Sequence, residues 1–248
     1  ILDLKLLYVE LDSFVYFDAS KVSNVNALKT RIIEGLTTYS KSTDVNKFGG
    51  RFKYSKALNI IDDIDNAITS NITRVKIRRN LRAVLNSFAQ YELCFGNQFR
   101  INQEGKNIKS TGFTIEGENE IVYITDIPNK DNNGNLDGSG LGVISIVRED
   151  SLRNTVVVVK SAGTVDYIHG EIILTTVNIT STVKENNVIE IQAFPDSNDV
   201  VGLKDLYLDF SISNTTINMV KDTITSGEQI SGVGFKVTSS YSNGELTR

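Results

Sequence analysis

The chain has 248 residues, 40% of them hydrophobic and 23% charged, with a net charge of −4. That is enough apolar material for a packed core in one large or two ordinary domains, and the wrong sign for a nucleic-acid partner by default. A single cysteine, Cys94, excludes an internal disulfide and a thiolate zinc cluster, a single histidine, His169, leaves little for zinc or Ser–His–Asp chemistry, and no apolar run reaches the roughly 20 residues of a membrane-spanning helix.

The chain starts at Ile1 rather than Met, and LDLKLLYVELDSFVYF already reads as strand, without the basic segment and apolar core of a signal peptide. The expectation is a C-terminal or middle portion of a longer protein. The segment NVNALKTRIIEGLTTYS places Val25, Leu28, Ile32, Leu36 and Tyr39 at helical spacing, with Asn24 as N-cap. In the loop STDVNKFGGRFKY the Gly49-Gly50 pair supplies backbone freedom. Ser55 then offers a cap for a second helix running to about Thr69. From Ile72 the period changes to two, with Thr73, Val75 and Ile77 alternating with Arg74, Lys76 and Arg78. Tyr91, Leu93 and Phe95 alternate with Gln90, Glu92 and Cys94, which predicts a second strand closing this unit.

Beyond about residue 100 the helical pattern fades. GFTI, EIVYITDI, GLGVISIV, NTVVVVK, EIILTTVNI, VIEIQAF and LYLDFSI are short, rich in β-branched residues, and separated by Gly, Asn, Asp or Ser clusters. The predicted fold class is α+β, a small helix/strand unit followed by a mainly antiparallel β-rich region. The predicted domains are an α+β core unit over 1–100 and a β-rich domain over 101–248, with a separate subdomain from about 163 as an alternative.

Three constellations could carry chemistry. In NIIDDIDNAI, Asp62, Asp63 and Asp65 fall within four positions of one another. On a wheel of about 100° per residue, Ile60, Ile61, Ile64, Ala67 and Ile68 share a broad apolar arc, Asp62 and Asp63 lie opposite, and Asp65 is at the boundary. Asp62 and Asp63 diverge by a full step, and Asp62 with Asp65 supplies two ligands where calcium takes six or more oxygens, so the ligand count favours a polar face over a metal site. In RVKIRRNLR, Arg74, Lys76 and Arg78 share a strand face with Arg79 and Arg82 close behind. This run reads as a solvated face paired with the acidic helix, or as an intersubunit contact in which arginine forks meet carboxylates. A nucleic-acid surface ranks third, because no aromatics are interleaved to stack on bases.

DNNGNLDGSG opens like a calcium loop, but Leu136 stands where an EF-hand needs glycine and Gly142 where it needs glutamate, so a hairpin tip is the better reading. His169, before a turn glycine and with no second His or Cys nearby, reads as a loop or strand residue. The N-x-[ST] sequons at Asn71, Asn178 and Asn214 matter only in a secretory pathway.

The order of elements and the stretch KFGGRFKYSKALNIIDDIDNAITSNITRVKIRRNL resemble the baseplate J-like family, and more closely the baseplate wedge proteins of large contractile-tailed bacteriophages. GTVDYIHGEIIL (163–174) and IEIQAFPDSNDV (189–200) are similar to segments of the same proteins. The likeness covers roughly 15–95 and 163–225 and is weak over 100–160.

The resemblance implies a virion structural protein of the tail baseplate, assembled in the host cytoplasm. Its implied partners are itself, in ring or dimer contacts, and other wedge proteins around a central hub, and the ring rearranges on sheath contraction. It implies no catalytic residue, cofactor, metal, nucleic acid, membrane or small-molecule substrate, and therefore no enzyme. The candidate interface is Asp62, Asp63, Asp65, Arg74, Lys76, Arg78 and Arg79. Two other classes compete: a carbohydrate-binding or adhesive β-domain, suggested by the strand-rich second half though the chain has no Trp, and a carboxylate-dependent hydrolase using Asp62 and Asp65.

Overall fold

Strand β1 (Leu6–Phe17) is the axis of the structure, because its two faces carry different residues. Leu7, Val9, Leu11 and Val15 are buried on one face, while Tyr8, Glu10, Asp12 and Phe14 alternate onto the other. The structure is a computed structural model that describes residues 5–152 and 154–224, with a separate strand pair at Tyr241–Ser242 and Glu245–Leu246.

Helix α1 (Val25–Ser40) begins where predicted: the Asn24 side chain accepts a hydrogen bond from the Ala27 amide at 3.1 Å. It buries Leu28, Ile32, Leu36 and Tyr39 against the apolar face of β1. The short strands β2 (Lys47–Phe48) and β3 (Arg51–Phe52) follow, divided by the glycine pair. Gly49 has φ +62, which favours glycine, and a Cβ on Gly50 would lie 2.0 Å from the Val45 carbonyl oxygen, which requires it there.

Helix α2 (Tyr54–Asp63) is shorter than the predicted segment, and Ser55 is not its cap. Lys53 occupies the N-cap position without a side-chain bond, and the Tyr54 amide is instead satisfied by Asp199 Oδ1 at 2.8 Å, a partner 145 residues away. The helix stops early because Asp65 turns the chain: its Oδ1 accepts from the Ala67 amide at 2.9 Å. Ala57 and Ile61 are fully buried and Ile60 and Ile64 pack partly against the core. The two helices approach closely at Gly35, where a Cβ would stand 3.0 Å from Ile60 Cγ2.

Strand β4 (Ile68–Arg82) starts four residues before the predicted point and runs antiparallel to β1, pairing Tyr8 with Arg78 through Phe17 with Ile68. β5 (Phe88–Cys94) does not close the first unit on its own: it pairs with a strand from the far half of the chain, Glu171–Thr182. The second half supplies β6 (Lys109–Ser110), β7 (Phe113–Ile115), β8 (Tyr123–Pro128), β9 (Leu141–Glu149), β10 (Thr155–Asp166), β11 (Glu171–Thr182), β12 (Val188–Ala193), β13 (Val200–Val201), β14 (Tyr207–Phe210) and β15 (Thr216–Lys221). One continuous sheet runs β2-β14-β1-β4-β12-β6-β8-β9-β10-β11-β5, with β7 joined to β11 and β15 to β1, while β3 pairs with β13 apart from it.

The molecule is β-dominated and largely antiparallel, with two helices among the described residues. The departure from an antiparallel second half is at β14 and β15, which both run parallel to β1, on its first and second halves respectively. A parallel neighbour needs a long crossover connection, and here the intervening strands supply it. The joint is packed by three rings from distant segments. Tyr39, Phe52 and Phe210 have centroids 5.1–6.0 Å apart, an arrangement that adds about 0.5–1.5 kcal/mol per pair beyond area burial.

Candidate interaction surfaces on the acidic turn and the basic strand

The three aspartates have three different surroundings. Asp62, exposed near the end of α2, accepts from Asn71 Nδ2 at 2.6 Å. Asp63 closes the helix and is exposed. Asp65 lies beyond the helix, where Arg31 Nη1 from α1 reaches its Oδ2 at 2.7 Å. The Ala67 amide and the Arg31 side chain hold the Asp65 carboxyl below its ordinary range. Among the described residues no group of three or more His, Cys, Asp or Glu converges as a metal site would require.

The basic residues divide by strand periodicity. Thr73, Val75 and Ile77 are buried beneath the helices, where the Ser13 and Thr73 hydroxyls share a 2.7 Å bond. Arg74, Lys76 and Arg78 point to the other face, away from α2. Arg74 is exposed and makes no ion pair among the described residues, whereas Lys76 Nζ stands 4.0 Å from Asp12. Beside them Phe14 and Ile72, opposite each other in the β1–β4 ladder, are 40% and 55% exposed. The acidic helix end and the basic strand row therefore lie on opposite sides of one layer and cannot neutralise each other within the chain.

Arg78 belongs to the interior rather than to that surface. It is 6% exposed, its Nε donates to Glu10 Oε1 at 2.5 Å, and its Nη1 reaches Glu190 at 3.2 Å. Gln192 Nε2 donates to the second Glu10 oxygen at 2.8 Å, and the guanidinium lies 4.1 Å from the Tyr8 ring centroid. Arg79 alternates back to the helix side, where its Nη1 donates to the Cys94 carbonyl of β5. Period-two reasoning placed Arg78 on its face and left Arg79 unassigned behind the run, and the acids that cover Arg78 lie 68 and 112 residues away and left no local signal.

His169 sits in the exposed turn between β10 and β11, with Nδ1 2.8 Å from Asp166 Oδ2, and Asp166 raises the imidazole above its ordinary value. NKDNNGNLDGSG is the connection of the β8–β9 hairpin, and its Asp131 side chain accepts from the Asn133 and Asn135 amides. Asp126 escaped sequence reasoning altogether: it is fully buried, accepts from the Ile108 amide at 2.6 Å and the Tyr167 hydroxyl at 2.7 Å, and burial pushes its carboxyl up.

Residues 5–80 match the family model described as baseplate structural protein gp6, C-terminal domain III. The matched span contains β1, both helices and β4 as far as Asn80, and so takes in every candidate interface residue. No curated protein matches the chain. No helix of the described residues is long and apolar enough to cross a membrane. Residues 5–80 are thus similar to a domain of a phage baseplate structural protein, a likeness that places the chain in the tail baseplate of a phage virion.

Proposed function

We propose that the chain is a wedge component of a contractile-tail baseplate. It joins copies of itself into a ring, contacts other wedge proteins around the hub, and shifts when the sheath contracts. The observation that carries this reading is the separation of charge across one layer: exposed Asp62 and Asp63 on the helix side, exposed Arg74 with Lys76 on the other. A closed ring built from head-to-tail contacts requires two different, complementary patches on each copy. The exposed Phe14 and Ile72 add apolar area beside the basic row, so the contact need not rest on weak surface ion pairs alone.

The test is charge reversal. Arg74→Glu with Lys76→Glu leaves the fold intact and abolishes rings in electron micrographs of baseplate material assembled with the variant. Adding Asp62→Lys with Asp63→Lys restores them in part. Rings that form normally with the Arg74/Lys76 variant would remove these surfaces from the contact.

A further inference from the structure

The β1–β4 ladder ends at the Tyr8–Arg78 pair, and past that point the two strands part company. β1 continues toward its N-terminal end beside β14, while β4 continues beside β12. The facing edges of Leu6–Leu7 and Arg79–Arg82 have no ladder partner among the described residues, and the gap between them opens as a cleft of about 330 Å³. A second cavity of about 200 Å³ lies against it on the β5 side, and both are lined by Lys5 and Arg79.

Among the described residues the cleft is under-neutralised. Arg79 donates one bond to the Cys94 carbonyl, but its Nε is buried without an acceptor among the described residues. Arg82 lines the first cavity and is exposed. The acids that line the two cavities are Glu92, which is exposed, and Asp205, whose carboxylate stands 3.7 Å from Lys5. Burial pulls the Arg79 guanidinium below its ordinary value, with Asp205 pulling the other way. A buried donor without an acceptor carries a free-energy cost that an incoming oxygen relieves.

We infer that this cleft receives an extended acidic segment of a partner polypeptide, with a carboxylate seated against Arg79, Lys5 and Arg82. Guanidinium groups suit carboxylates by geometry as well as charge. The two open strand edges offer backbone donors and acceptors that an added strand satisfies and that a free small anion does not. The cleft is separate from the Arg74/Lys76 surface, so it stands or falls independently of the ring contact proposed above.

The experiment is a titration of the 15N-labelled chain with the capped peptide Ac-Val-Glu-Val-Glu-Val-NH2. The matching lysine peptide and inorganic phosphate serve as the other arms. Expected are amide shifts centred on Lys5–Leu7 and Arg79–Arg82 for the glutamate peptide only, and affinity lowered about fivefold or more by Lys5→Gln with Arg82→Gln. Both residues are exposed, so the fold is retained in that variant. Arg74→Gln, far along β4 from Arg82 and outside the cleft lining, leaves binding unchanged. Equal binding of the lysine peptide, shifts elsewhere, or unchanged affinity in the double variant overturns the inference. Phosphate giving the same shifts at the same affinity makes the cleft a free-anion site and overturns it too.

Discussion

Glu10 on β1 and Arg78 on β4 meet across neighbouring strands with both side chains 7% exposed, on the sheet face opposite Thr73, Val75 and Ile77. Two opposite charges are thus removed from water by their own neighbours, Tyr8, Glu190 and Gln192. Such a pair contributes modestly as a unit, but removing one partner leaves the other buried and uncompensated.

Arg78→Met is therefore expected to lower stability by about 3–5 kcal/mol, while Glu10→Gln combined with Arg78→Met recovers most of the loss. Urea-unfolding midpoints of the two variants measure this. Equal losses in both would show that packing rather than charge governs the site. Arg74→Gln, exposed on the same face, shifts the midpoint by no more than about 0.5 kcal/mol equivalent.

Asp126 supplies a pH dependence with a definite sign. Burial raises its carboxyl, and the Tyr167 hydroxyl with backbone amides pulls it back partway. A folded-state value above the unfolded one gives stability that is full below the ordinary carboxylate range and declines as pH rises through the folded value. Tyr167→Phe removes a hydrogen bond to the charged form, so it costs about 1–3 kcal/mol at neutral pH and less in acid. Unfolding free energies of variant and native chain at the two pH values check this, and a pH-independent difference contradicts it.

Asp65 behaves in the opposite sense. Its carboxyl is held down by the Ala67 amide and by Arg31, so its contribution is present above the unfolded value and is lost as pH falls through the folded one. Protection of the Ala67 amide from hydrogen exchange, relative to its intrinsic rate, falls as the carboxyl protonates, and is already low at neutral pH in Asp65→Ala. No change at Ala67 in that variant would show that the turn is held by other contacts.

Gly170 follows His169 with φ +67, and a Cβ there would stand 2.1 Å from the Asn97 carbonyl oxygen. Gly170→Ala is expected to destabilise by about 2–4 kcal/mol and to lower Tm accordingly. Gly134, at φ +83 in the β8–β9 connection, has open space around it, so Gly134→Ala carries only the backbone strain of about 1 kcal/mol. Thermal unfolding of the two variants side by side separates the clash from the strain.

Much of this was legible in the residues themselves. The helix of residues 25–40 is specified by Asn24 and a stripe of apolar residues at helical spacing, and both are local properties. The strands of the second half follow from β-branched runs between turn formers, and each predicted run contains a strand. The alternation of Arg74 and Lys76 against Thr73, Val75 and Ile77 is a period-two pattern that survives any tertiary arrangement. TINMVK, which became β15, carries no such clear alternation and depends on β1 for its place.

What the tertiary structure decided is which partners distant segments find. Helix α2 is capped by Asp199 and ended by Asp65, so its length depends on a residue far along the chain. β14 and β15 line one edge of β1 in parallel, and β5 joins β11, because strand pairing depends on which edges remain open rather than on local sequence. Arg78 is basic in the sequence like Arg74, yet one is enclosed by Glu10 and Glu190 and the other faces solvent. Periodicity assigns a side chain to a face, but only the packed fold determines whether that face is covered, and by which charge.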